Sequence, residues 1–188
     1  MSSENRAMGR RKSTLTAFCG MTAALSVVLM LSGGLIPIAT YITPLLASAL
    51  LLPVYMEFSR RAAWGTWLVT ALTALLLGMD KEAAFLYLFV GWWPAAKAPL
   101  EARVRGKPLR LALKTVLFAV CVGLMYSMLI FLLHMDAIAA DFGEMGRWMT
   151  ALFFAALVVC LLLFDRLLTP LGVIWQRRLR PKLRFLRR

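Results

Sequence analysis

The sequence predicts an all-α, polytopic integral membrane protein of about six transmembrane helices, and three observations carry that expectation. Hydrophobic residues make up 61% of the 188-residue chain, against roughly 45–50% in a soluble domain, and they are gathered into long runs. Only short polar stretches separate the runs, so no segment is left to fold a soluble core of its own. The basic residues cluster beside alternate ends of the runs, as they do when basic loops stay in the cytoplasm.

Residues 1–14 read as a basic cytoplasmic N-terminus. The apolar run 15–35 is longer than the roughly 7–15 residues of a signal-peptide core, and no A-x-A cleavage pattern follows it, so it is expected to be an uncleaved first span. Thr16, Gly20 and Ala24 recur on one face of it. A small-xxx-small face lets a second helix approach closely, and that helix is either another span of this chain or a separate partner. Gly33, Gly34, Pro37 and Pro44 then interrupt any continuous helix, because proline lacks an N–H and clashes with the preceding turn. This outer stretch is either a gate loop, with Gly33, Gly34 and Pro37 supplying backbone that tolerates unusual dihedrals, or a plain helix-ending turn.

The second segment, 45–58, is shorter than the about 20 residues an upright span needs, and it ends at Arg60 and Arg61. Residues 64–77 return outward to Asp80, with Trp64 and Trp67 placed where interfacial rings sit. The stretch 78–114 then runs from an acidic knot (Asp80, Lys81, Glu82) through the apolar 83–96 to a basic loop ending at Lys114, which fixes its direction. Residues 111–133 form the clearest span, leaving at His134, Asp136, Asp141 and Glu144, and 148–168 come back. The membrane domain is thus 15–170, and 171–188 form a basic amphipathic cytoplasmic tail. With this arrangement 20 of the 22 lysines and arginines are cytoplasmic, leaving Lys81 and Arg147 outside. The short second and fourth segments also permit re-entrant hairpins and four full spans.

The net charge of +13 does not point to nucleic acid, because the cations sit in short loops and tails where topology and anionic lipid of the inner leaflet account for them. Cys19, Cys121 and Cys160 have no paired spacing and are expected as buried packing residues. With one histidine and no catalytic motif, no enzyme, metal site or cofactor is expected.

Ionisable and aromatic groups in apolar runs carry the functional reading, since they are costly in a membrane. Tyr41, Asp80, Glu82, Trp92, Tyr126 and His134 group toward the outer face, where they either line a small-molecule pocket or are solvated loop residues with an interfacial aromatic belt. Toward the inner face, Glu57 and Lys97 end neighbouring segments at similar depth and are expected either to pair or, for Lys97, to snorkel to the headgroups. The tail alternates Trp175, Leu179, Leu183, Phe185 and Leu186 with arginines, which suits a helix on an anionic leaflet or a docking surface for a cytoplasmic partner.

The size and topology of nearly the whole chain, the Thr16, Gly20, Ala24 face and the irregular loop from Gly33 to Pro44 resemble the substrate-binding S components of energy-coupling factor vitamin transporters. That resemblance implies six spans, both termini in the cytoplasm of a cell-membrane protein, and an outer gate over a vitamin-like ligand. It also implies partnership with a transmembrane subunit and ATPase subunits, the first span's small-residue face making the contact; only Ala24 of this stripe is the alanine usual there. In size and span number the chain is also similar to the MreD-like cell-shape proteins, which would make it a scaffold or assembly factor.

Overall fold

A computed structural model describes residues 3–33, 39–77, 80–104, 106–131 and 136–182, and every regular element in them is helical. In order these are α1 (Ser3–Gly33), α2 (Ala39–Ala49), α3 (Leu51–Glu57), α4 (Arg60–Leu77), α5 (Lys81–Val90), α6 (Trp93–Arg103), α7 (Lys107–Phe131) and α8 (Asp136–Ile174). A π turn at Trp175–Leu179 and a short 3-10 turn at Arg180–Lys182 follow. Four stretches, Lys12–Gly33, Ala39–Glu57, Lys107–Phe131 and Gly146–Arg178, are long and apolar enough to cross a membrane.

The outward faces of these helices are what lipid contact requires. On α8, Val159, Leu163, Leu167 and Leu171 are exposed while Leu161, Phe164, Asp165 and Leu168 are buried, a division at helical spacing that leaves one face for packing and one for hydrocarbon. On α7 the buried stripe is Lys114, Phe118, Cys121, Val122, Met125, Tyr126 and Leu129. Only Cys121 of the three cysteines is buried; Cys160 lies on an outward face and Cys19 is half-buried, so the expectation of three packing cysteines holds for one.

The second segment is longer than the apolar run 45–58. It starts at Ala39, carries Pro44 inside α2 and continues through α3 to Glu57, 19 residues in all. Pro44 has no N–H for the Thr40 carbonyl, yet α2 continues through it to Ala49. Pro53 is the residue that interrupts: it has no N–H for the Ala49 carbonyl, and α2 gives way to α3 at Leu50.

The ten-residue α5 is too short to be read as a span by itself, and the fold places it at the centre. Ala83, Ala84, Phe85, Leu86, Tyr87 and Val90 are all buried, because α5 packs against α2, α4 and α7. A helix so enclosed meets protein rather than lipid, and the length rule for lipid-facing spans does not bind it. The break after α5 is built: Pro94 has no N–H for Val90, and Ala95 N donates to the Trp92 carbonyl at 3.1 Å. The Gly91 carbonyl released by that shift accepts from Ser48 Oγ of α2 at 2.9 Å.

Gly33 is the last helical residue of α1, and its missing Cβ is what admits Thr43 of α2, whose side chain would overlap an added methyl. Among the described residues positive φ falls on Gly106 and Gly146, so Gly33 serves close helix packing and not an unusual dihedral. Gly34 and Pro37 of the expected gate lie outside the described residues. We expect Gly33→Val to cost about 1–3 kcal/mol through overpacking, with partial recovery on adding Thr43→Ala, read by thermal unfolding in detergent.

Candidate functional site

Chain direction alternates along the segments, so the molecule has an acidic and a basic end. At the acidic end α2, α5 and α7 bring Tyr41, Glu82 and Tyr126 together. The Tyr41 hydroxyl donates to Glu82 Oε1 at 2.7 Å, the Tyr126 hydroxyl donates to the same oxygen, and the two hydroxyls are 3.3 Å apart. The second oxygen of Glu82 accepts no hydrogen bond among the described residues. Phe153 and Phe154 of α8 wall the cluster, with ring centroids 6.0 and 5.3 Å from that of Tyr126. Beside them a concavity of about 530 Å³ opens, lined by Gly146, Arg147, Thr150 and Phe154 among others.

Asp80 stands next to this cluster with each carboxylate oxygen accepting a hydrogen bond. It is the N-cap of α5, accepting from Ala83 N at 3.1 Å and from Thr40 Oγ1 at 2.7 Å, the role short acidic side chains perform at helix starts. Lys81, one of the two cations on the acidic end, donates to the Leu75 carbonyl at 2.7 Å, answering an unsatisfied acceptor in the last turn of α4.

Trp92 does not join the cluster. It follows the end of α5 while Glu82 lies in the first turn, and ten residues of helix separate them by roughly 15 Å. Its ring instead stacks on Trp64 at 5.7 Å, and Trp64 meets Trp67 edge-on at 5.3 Å, a tryptophan group at the basic end. His134 lies outside the described residues.

At the basic end the expected pairing of Glu57 with Lys97 is replaced by two separate arrangements. Lys97 faces α8, where its Nζ is 3.1 Å from Asp165 Oδ1, donates to the Asp165 backbone carbonyl, and reaches Thr169 Oγ1 at 2.9 Å. Lys114 of α7 reaches Asp165 Oδ2 and Glu101 Oε1, both at 2.5 Å, and Trp93 Nε1 donates to Asp165 Oδ1 at 2.8 Å. Asp165 therefore joins α6, α7 and α8 at a point where it and Lys114 are each only 5% exposed. Pairing of this kind is what permits charge below a membrane surface.

Glu57, with its side chain 6% exposed, accepts from Trp175 Nε1 and pairs with Arg180 Nε, both at 3.1 Å. Those contacts hold the turn after α8 against α3, and the Trp175 ring also packs on Phe18 of α1. We expect Glu57→Ala to release this turn at a cost of about 1.5–3 kcal/mol, the scale of a lost hydrogen bond to a charged group. Limited trypsin digestion should then cut faster after Arg177 and Arg178.

The Thr16, Gly20, Ala24 face is exposed, and a Cβ added at Gly20 would meet nothing within 4 Å. Among the described residues no helix covers it.

Sequence reasoning overlooked Asp165. Its signal was present, since it is the one acid in the apolar run 148–168, and an ionisable residue inside a span is by default either functional or paired. Comparison of the chain with protein-family models, with characterised proteins and with solved structures returns no match.

Proposed function

We propose that the chain is the substrate-binding membrane subunit of an importer, capturing a small vitamin-like molecule at the acidic, outer end and passing it to an ATPase-driven partner. In this reading α4 and the α5–α6 pair complete six crossings of the cell membrane, and both termini are cytoplasmic. The observation that carries it is Glu82: a carboxylate within an apolar bundle, one oxygen holding two tyrosine hydroxyls and the other taking no bond among the described residues, against an aromatic wall. A ligand with a donor group and an apolar body fits such a setting, in which a few polar groups orient what the aromatic surface binds. The uncovered small-residue face of α1 supports contact with a transmembrane partner.

Screening the purified protein against vitamins, nucleobases and amino acids by thermal shift tests the reading. A ligand at 100 times its dissociation constant adds about 2.7 kcal/mol; no stabilising compound across the panel would count against capture. The use of both Asp80 oxygens within the fold favours a second reading, a non-transporting scaffold of the MreD-like kind. Co-purification separates the two, an ATPase pair supporting import and cell-wall or division proteins supporting the scaffold.

The topology is open to a direct check. Reporter fusions after Arg61, after Arg105 and at Arg188 should report cytoplasm, and fusions near Lys81 and Asp141 the outside. A cytoplasmic signal at Lys81 would remove α4 as a crossing.

A further inference from the structure

The basic end contains a cavity of about 470 Å³ between α6, α7 and α8, whose charged lining is Lys97, Lys107, Arg110, Lys114 and Arg166 against Glu101 and Asp165. Its volume is within the roughly 300–1,000 Å³ range of small-molecule sites. Two of the five cations are neutralised within the protein, Lys97 by Asp165 and Lys114 by Glu101 and Asp165. The other three are not. Lys107 and Arg166 are exposed and form no ion pair among the described residues. Arg110 Nη2 donates to the backbone carbonyls of Glu101 and Val104 at 3.0 and 3.1 Å, which orient the guanidinium without cancelling its charge. Its Nε is sealed from solvent and has no hydrogen-bond partner among the described residues, so an occupant of the cavity is left the rest of the guanidinium to contact.

Lys107 and Pro108 on the lining are the first residues of the 25-residue α7, so the positive end of a long helix dipole also points at this space. An occupant must therefore be an anion with several acceptor oxygens facing more than one direction. Tetrahedral phosphate meets that need, and arginine's fork matches it. Leu111 and Leu162 continue the lining, and Leu111 is 47% exposed on the lipid-facing side, so a hydrocarbon tail attached to the phosphate has an apolar exit along α7.

We propose that this cavity binds a phosphate group through Lys107, Arg110 and Arg166, above a floor held rigid by the Asp165 network. The source is either the headgroup of an anionic phospholipid or a free phosphorylated molecule. The site is separate from the one at the acidic end and does not depend on it.

The test uses the full-length protein in two arms. In the first, native mass spectrometry follows phosphatidylglycerol retained from nanodiscs, with phosphatidylcholine nanodiscs as the neutral comparison. In the second, thermal shift follows glycerol 3-phosphate in detergent. The exposed pair Lys107→Gln/Arg166→Gln removes the charges with little risk to folding, and Arg177→Gln/Arg178→Gln makes the same charge change away from the cavity. We expect the first pair to weaken binding about tenfold or more, the scale of lost charge-assisted hydrogen bonds, and the second to leave it unchanged. Retention of phosphatidylglycerol alone assigns the phosphate to a lipid; a response to glycerol 3-phosphate as well shows that the phosphate suffices without its chains. If neither probe binds, or both pairs weaken binding equally, the site does not exist.

Discussion

Asp165→Asn is expected to destabilise the protein by about 3–5 kcal/mol, the range for breaking a buried ion pair by removing one partner. Asparagine keeps an acceptor for Trp93 Nε1 but leaves Lys97 without a counter-charge and Lys114 with Glu101 alone, where the wild type has contacts of 3.1 and 2.5 Å to the Asp165 carboxylate. The loss comes from the uncompensated cations and not from a missing contact, which gives the prediction a second half. Asp165→Leu combined with Lys97→Met and Lys114→Met should regain most of the stability, since replacing a buried ion-pair network by apolar side chains is often neutral and Glu101, the partner left over, has a side chain 30% exposed to solvent. Thermal unfolding of the single and triple variants in the same detergent decides this. A triple variant no better than Asp165→Asn would mean that the network contributes specific geometry that apolar packing cannot supply.

The second large effect is expected at the other end. Glu82→Ala should reduce the affinity of a captured molecule by roughly tenfold to hundredfold, since hydrogen bonds to a charged group contribute about 1.5–3 kcal/mol. Folding should survive because the Tyr41 and Tyr126 hydroxyls, 3.3 Å apart, can bond each other once the carboxylate is gone. Glu82→Gln should fall between, retaining an acceptor for the tyrosines and losing the charge. Affinity is to be measured on the folded fraction with whichever compound the thermal-shift panel identifies. Unchanged affinity in folded Glu82→Ala would show that the cluster is a structural tie between α2, α5 and α7 and nothing more.

Part of the acidic-end cluster was legible because it obeys local rules. Tyr41, Asp80, Glu82 and Tyr126 lie near the ends of apolar runs whose direction is set by charge, so depth alone brings them to one level. Trp92 was misplaced because the reading treated residues 83–96 as one segment and took its aromatic ring with the acidic group. Depth in fact follows the axial rise, and position 92 belongs to the far end. The Glu57–Lys97 pairing failed for a related reason. Two charges at similar depth meet only if their helices are neighbours on the facing sides, and Lys97 turns toward α8 while Glu57 turns toward the residues after α8.

The sequence by itself determined the helical class, the segmentation into apolar runs and the separation of basic from acidic ends, because each follows from hydropathy and charge read within a few residues. The break at Pro53 and the cap at Asp80 are properties of single side chains acting on adjacent backbone. Only the tertiary structure decided which segment lies at the centre, who partners Lys97, Lys114 and Glu57, and what Gly33 is for. Those are relations between residues about 10 to more than 100 positions apart. The middle of a buried helix such as α5 is packed mainly by apolar side chains, and an apolar face carries no sequence mark of which other apolar face it meets.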